Sequence, residues 1–219
     1  MKKLILLFAV AFNLNSNEFL TGSLVDYSGL IKMPNARFNN EGKVSFNYSR
    51  YDPYGKYVFQ FSPYDWFEGA LFYTDINSLG YPDFERGPGG MQSQKDKGFS
   101  LKARLFKEGE CYGLDYAFCE YLPNVAVGLV DFAGTSLTAS EYVVASKSVG
   151  RFDLTAGLGW GALGSTDNIG GNPLSILTDK FDQRGSGYSL GLMGGVPGVS
   201  TWFRGCLLYT SPSPRDVLR

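Results

Sequence analysis

The chain has 219 residues, with 20 Lys and Arg against 21 Asp and Glu, 28 glycines and no histidine. Without imidazole it lacks Ser-His and Cys-His nucleophile pairs, a histidine general base and histidine-ligated zinc, which argues against an enzyme. A net charge of -1 with scattered cations offers no basic field for a nucleic-acid backbone. We therefore expect no nucleic-acid partner, and no motif indicates a cofactor or a metal.

The N-terminal segment is typical of a secretory signal. Lys2 and Lys3 precede an apolar run of nine residues, 4–12. That length matches a signal-peptide core and is too short to cross a bilayer. No cysteine lies nearby, so no lipobox is visible. We interpret residues 1–16 as a signal peptide; the alternative is a buried first strand or helix.

Beyond the signal, apolar residues recur with a period of two, which predicts strands with two unlike faces. The clearest case is 150–162, where Leu154 and Leu158 alternate with Thr155 and glycines. Short turn clusters separate the strands, so they predict an antiparallel meander. In chain order the predicted strands are 44–50, 55–62, 66–76, 99–105, 124–132, 140–149, 150–162 and 187–194.

Two all-β folds fit this meander: a soluble sandwich and an outer-membrane barrel. A sandwich buries its apolar faces in a core. A barrel turns them toward lipid, with aromatic girdles at both interfaces and a polar or small-residue lumen. Aromatic residues cluster near the ends of the predicted strands, which favours the barrel, although aromatics are enriched in all strands.

Five stretches carry a family resemblance: 29–38 (GLIKMPNARF), 52–76, 95–106 (KDKGFSLKARLF), 121–164 and 171–175 (GNPLS). They resemble the YjbH-type family of exopolysaccharide-biosynthesis outer-membrane β-barrel proteins of Gram-negative bacteria. The resemblance implies that residues 17–205 form the N-terminal part of such a barrel. It implies no enzymatic activity and no catalytic residues. Family members are much longer, so we expect an open or partial barrel here.

Two segments depart from the family pattern. Residues 206–219 break the strand pattern and resemble translated adaptor sequence. We interpret them as a non-native tail that makes few contacts; the alternative is a genuine Ser/Pro-rich terminus. The run CYGLDYAFC (111–119) resembles an insertion. Because an exported chain meets an oxidising compartment, we expect a disulfide between Cys111 and Cys119.

Other chemical patterns are weaker. Glycines within 157–161 evoke a phosphate loop, but no βαβ unit surrounds them, so strand glycines explain them better. Asp131 and Glu141 flank a turn and would be the acid pair of a glycosidase. Acids on a hairpin are more often solvated or ion-paired than catalytic.

Four cations are candidates for polysaccharide contacts: Lys102, Arg104, Lys147 and Arg151. Alternating strand positions would bring some of them onto one wall of a barrel lumen, where they would bind an anionic polymer through weak, multiple contacts. The alternatives are a solvated face and binding to lipopolysaccharide phosphates.

The sequence and the resemblance together predict a non-enzymatic outer-membrane protein that takes part in exopolysaccharide export or surface assembly. Its partners would be outer-membrane lipid, the exopolysaccharide and other proteins of a secretion operon. The alternative is a secreted, soluble β-sandwich that binds carbohydrate by stacking aromatic side chains on sugar rings.

Overall fold

The structure, a computed structural model, describes residues 33–80, 93–113, 119–134, 138–164, 171–182, 202–205 and 209–214. The predicted signal peptide (1–16) and the predicted strand 187–194 lie outside these ranges. Within them, no helix is both long and apolar enough to cross a membrane.

A single antiparallel sheet dominates the described part of the chain, and its strands follow one another in sequence order as a meander. The sheet curls into a half-barrel with β1 and β8 at its two ends. The strands are β1 (Lys43–Tyr51), β2 (Tyr54–Tyr64), β3 (Phe67–Gly80), β4 (Ser93–Phe106), β5 (Asn124–Gly134), β6 (Ser140–Val149), β7 (Phe152–Gly161) and β8 (Tyr209–Pro214).

The all-β meander and the open sheet are as predicted. Strand β6 has the predicted bounds, whereas β4 begins six residues before the predicted 99. The expectation that the tail makes few contacts is wrong. Residues 209–214 pair with β7 from Phe152 to Gly157 because the backbone edge of β7 accepts a further strand whatever its side chains.

The two faces of the sheet differ in chemistry. On the convex face, large apolar side chains are exposed; Phe46 is 66% exposed and Phe99 49% exposed. On the concave face, polar and charged side chains are buried; Glu68, Ser100 and Lys102 are fully inaccessible. The alternation seen in the sequence therefore places apolar residues outward and most polar residues inward.

Residues 33–40 precede β1 and lie across the concave face; we call them the crossing segment. Ala36 and Phe38 of this segment are buried in a small apolar cluster on that face. The concave face of the sheet, which we call the wall, contributes the other buried members of the cluster: Val58, Ala70, Phe72, Ala126, Val130, Tyr142 and Val144. The core of the described structure is thus formed between the sheet and its own N-terminal segment.

Two glycines allow aromatic rings to lie flat across neighbouring strands. Gly128 is directly opposite Tyr142, and a Cβ atom at Gly128 would meet the Tyr142 ring at 2.2 Å. Gly69 is opposite Phe61 in the same way, with a Cβ atom 2.3 Å from the ring. Such aromatic–glycine pairs fix the register between strands.

Candidate functional site

The candidate site is the concave wall beneath the crossing segment. Three wall side chains hold the segment through its backbone. Ser146 Oγ accepts a hydrogen bond from the Ala36 N–H at 2.9 Å, and Glu68 accepts one from the Asn39 N–H at 2.6 Å. Lys102 Nζ donates to the carbonyl oxygen of Arg37. The segment is therefore anchored to β3, β4 and β6 at once.

Arg37 is the side chain of the segment with the most polar contacts. Its guanidinium contacts Glu108 at 2.8 Å, Asp153 at 2.5 Å and the Ser148 hydroxyl at 2.8 Å. Burial alone would lower the pKa of Arg37, but hydrogen bonds to Asp153 and Glu108 outweigh burial and raise it. Arg37 thus stays charged and links the segment to β7 and to the β4–β5 connection.

Glu108 joins this cluster from the β4–β5 connection. Burial would raise its pKa, but hydrogen bonds from Arg37, Lys147 and the Ser148 N–H together lower the pKa below its usual value. Lys147 Nζ lies 3.2 Å from Glu108 Oε1. The carboxylate is therefore held ionised between two cations.

A fully buried ion pair lies at the centre of the wall. Lys102 Nζ is 3.3 Å from Glu68 Oε2, and both side chains have no exposed surface. The register places the two residues directly opposite on β3 and β4. Lys102 and Arg104 both lie 4.5 Å from the centre of the Phe38 ring, as cation–π contacts. Phe38 therefore packs the segment directly onto the cations of β4.

Some buried polar atoms of the wall have no hydrogen-bond partner within the described part of the chain. They are Gln60 Nε2, Ser62 Oγ and Arg104 Nε. Ser62 is 1% exposed and Gln60 is 4% exposed. Buried polar groups in native proteins are nearly always paired, so each of these atoms is a position where a hydrogen-bonding group is expected.

The four predicted contact residues do not form one basic patch. The structure brings Lys102 and Arg104 together under Phe38, while Lys147 pairs with Glu108. Arg104 also lies 3.4 Å from Asp65. Arg151 is exposed in the turn between β6 and β7. Contacts with polysaccharide stay a prediction for these residues.

The other sequence candidates have separate places. Cys111 and Cys119 form a disulfide in the β4–β5 connection, with Cα atoms 4.9 Å apart. Asp131 accepts a hydrogen bond from the Thr138 N–H, and Glu141 accepts one from the Phe203 N–H. The two acids thus serve different backbone segments. Across the described ranges, no three Cys, Asp or Glu side chains group as metal ligands.

The convex face carries aromatic side chains in two bands. Tyr48, Tyr57 and Tyr73 are adjacent in register on β1, β2 and β3, and each is more than 40% exposed. Toward the other end of these strands, the rings of Tyr64 and Trp66 stack 5.5 Å apart. Between the bands the exposed side chains are apolar, such as Phe59 and Leu71.

A family model described as exopolysaccharide biosynthesis protein YbjH, of the YjbH family, matches residues 23–209. The chain belongs to the YjbH family. It is 41% identical over 160 residues to the uncharacterized lipoprotein YjbH of Escherichia coli K12. The match covers 73% of this chain and 21% of that relative, so the chain spans about a fifth of the curated relative it matches. No solved structure gives a significant match.

Sequence reasoning missed most of the residues that form the site in this YjbH-family chain. Arg37 and Phe38 lie in the stretch GLIKMPNARF, which carried the family resemblance but no assigned role. The signal for Glu68 was its position: it shares a strand face with Ala70 and Phe72, where a lone acid requires a buried partner. Glu108 and Asp153 had no comparable signal.

Proposed function

We propose that the chain is the N-terminal part of a non-enzymatic outer-membrane β-barrel protein that takes part in exopolysaccharide export or surface assembly. Membership of the exopolysaccharide-biosynthesis family supports the biological process. The relative named a lipoprotein supports export and membrane association. The outer-membrane location is inferred from the sheet, and the export role is inferred mainly from the family resemblance.

The observation that carries the proposal is the polarity of the two faces. Large apolar side chains are exposed on the convex face, while Lys102 and Glu68 are buried on the concave face. A soluble sandwich would show the reverse, with its apolar face buried against a second sheet. A membrane barrel turns its apolar face to lipid and keeps polar residues inside.

The spacing of the aromatic bands also supports a membrane. Trp66 and Tyr73 are seven residues apart, which is about 23 Å along an extended strand. For strands tilted by about 40°, this corresponds to about 18 Å along a barrel axis, of the same order as the ~25 Å apolar band of outer-membrane barrels. Tyrosine and tryptophan are the residues enriched at membrane–water interfaces.

Fractionation tests the location. After expression in a Gram-negative host, the protein should sediment with outer membranes and resist extraction by high salt and by carbonate, because the convex face stays soluble only if it is covered. Recovery in the soluble periplasm would contradict the proposal and favour the carbohydrate-binding sandwich. Deletion of the gene should lower surface exopolysaccharide, and unchanged polymer would contradict the export role.

A further inference from the structure

The crossing segment fills a groove through contacts that another extended polar chain would also satisfy. The wall binds its backbone: Ser146 and Glu68 accept from N–H groups, and Lys102 donates to a carbonyl oxygen. Each of these wall groups binds a single donor or a single acceptor of the backbone. A sugar hydroxyl supplies both a donor and an acceptor from a single group. The groove is thus suited to a hydroxyl-rich chain as well as to a peptide.

The wall also has hydrogen-bonding capacity that the crossing segment does not use. Gln60 Nε2, Ser62 Oγ and Arg104 Nε are buried and unpaired within the described ranges. All three groups are donors, so each would be satisfied by a hydroxyl or ring oxygen. Leaving such a donor unpaired in the folded state costs free energy, which a ligand oxygen would recover.

The charges around the groove balance, which selects the class of polymer. Most cations there contact an acid, as in the pairs Lys102–Glu68 and Arg104–Asp65, while Lys43 Nζ donates to Asn39 Oδ1 of the segment. If the segment left, it would remove Arg37, and these contacts would leave five cations against five acids, with no excess of positive charge. The cations are Lys43, Lys102, Arg104, Lys107 and Lys147, and the acids are Asp65, Glu68, Glu108, Glu110 and Asp153. Such a groove does not attract a polyanion.

We propose that the groove beneath residues 33–40 is the path of a neutral, hydroxyl-rich glycan chain, and that the crossing segment holds the place of that chain until it is displaced. The inference rests on the proposed function and names the polymer class and the gate. It replaces the anionic polymer expected from the sequence, because the four candidate cations do not form an uncompensated basic wall.

A disulfide lock tests the gate in the full-length protein. Because Ser146 Oγ lies 2.9 Å from the Ala36 nitrogen, the double variant A36C/S146C should crosslink the segment to β6. The locked protein should reach the outer membrane but lose surface glycan, and reductant should restore it. The single variant A36C, with and without reductant, is the control for normal export, and S146C alone measures what the loss of the Ser146 hydroxyl costs. Normal export by the verified crosslinked protein would overturn the inference.

Binding measurements on the purified protein in detergent give a second, independent test. The probes are a dextran oligosaccharide, which is neutral, and an oligogalacturonate of equal length, which is acidic. R37A should bind dextran more tightly than the wild type, by about tenfold if the segment is open in about a tenth of wild-type molecules. R50A, at an exposed arginine of β1, should show no gain.

The outcomes separate this inference from the proposed function. Three results would each overturn the inference. They are no gain in dextran affinity for R37A, a larger gain in affinity for the acidic probe, and dextran binding by the locked A36C/S146C protein. The lock changes Ser146 alone among the wall residues and keeps the donors of Gln60, Ser62 and Arg104, so it decides the question even if R37A fails to fold. Loss of the outer-membrane location would instead contradict the proposed function. The binding measurements on purified protein would still decide whether the groove binds a neutral glycan.

Discussion

At the scale of single residues, the decisive feature is a charged pair placed where water does not reach. Glu68 and Lys102 are both inaccessible, and each also contacts the crossing segment. Taking two charges out of water is expensive, so such a pair stabilises the fold only while both partners are present. Removal of one partner leaves the other buried and uncompensated.

We therefore expect K102A to lower the free energy of unfolding by about 3–5 kcal/mol. The double variant K102M/E68L should recover most of that loss, because replacing both charges with apolar groups is often nearly neutral. R151A, at an exposed turn position, is the matched control and should change stability by no more than about 0.5 kcal/mol. Denaturant titrations measure all three. Equal stability of K102A and R151A would show that the pair is solvated.

A second residue-scale prediction concerns acid. The folded-state pKa of Glu108 lies below its ordinary 4.5 because of Arg37, Lys147 and the Ser148 N–H, although burial opposes them. The stabilisation is therefore fully present above about pH 4.5 and is lost as the pH falls through the lowered value. E108Q should flatten the dependence of unfolding free energy on pH below 4.5.

The control for that titration is E120Q, at an exposed glutamate of the same β4–β5 connection. It should keep the wild-type slope. Identical slopes for E108Q and the wild type would mean that the carboxylate does not hold the crossing segment.

At the scale of secondary-structure elements, the convex face of the central strands is a continuous apolar surface. Leu71 lies on β3 between Tyr73 and Trp66, and it is 36% exposed. In a membrane barrel, an arginine near the bilayer midplane costs about 2–4 kcal/mol, and one near the interface costs about 0–1 kcal/mol. The same substitution on a solvated surface is nearly neutral.

L71R should thus lower the free energy of unfolding in detergent micelles by about 2–4 kcal/mol. N77R, at an exposed position near the end of β3, should lower it by about 1 kcal/mol or less. Heat-modifiable mobility on gels and denaturant titration measure the folded fraction. If L71R is as stable as N77R and more soluble than the wild type, the convex face does not meet lipid.

Alternation in the sequence was sufficient to predict seven of the strands, and it gave the outward apolar face of β1 and β4, because a period of two is a local property of the chain. It was not sufficient for the site. The pairing of Glu68 with Lys102 depends on the register between β3 and β4, and a slip of one residue would place them on opposite faces. The crossing segment has no strand periodicity, and its partners lie far away in sequence.

At the scale of the whole molecule, the sheet formed by the described residues ends at β1 and β8, which are not neighbours in the strand order. Unpaired N–H and C=O groups at a sheet edge are costly in lipid, and in water they pair with the edge of another chain. We expect this 219-residue chain to form edge-to-edge oligomers in detergent, well above its 24.1 kDa mass. Light scattering after size exclusion measures the mass. A stable monomer with slow amide exchange along β1 would show that this edge is satisfied in another way.

The long-range seating of the crossing segment has a consequence for the order of folding. Ala36 meets Ser146 across 110 residues, and Arg37 meets Asp153 across 116. Closing loops of that length is entropically unfavourable until the intervening strands have paired. Although residues 33–40 are synthesised early, they must therefore wait for β6 and β7 before they can dock. We expect the meander to form first and its concave face to stay open to solvent until the segment docks.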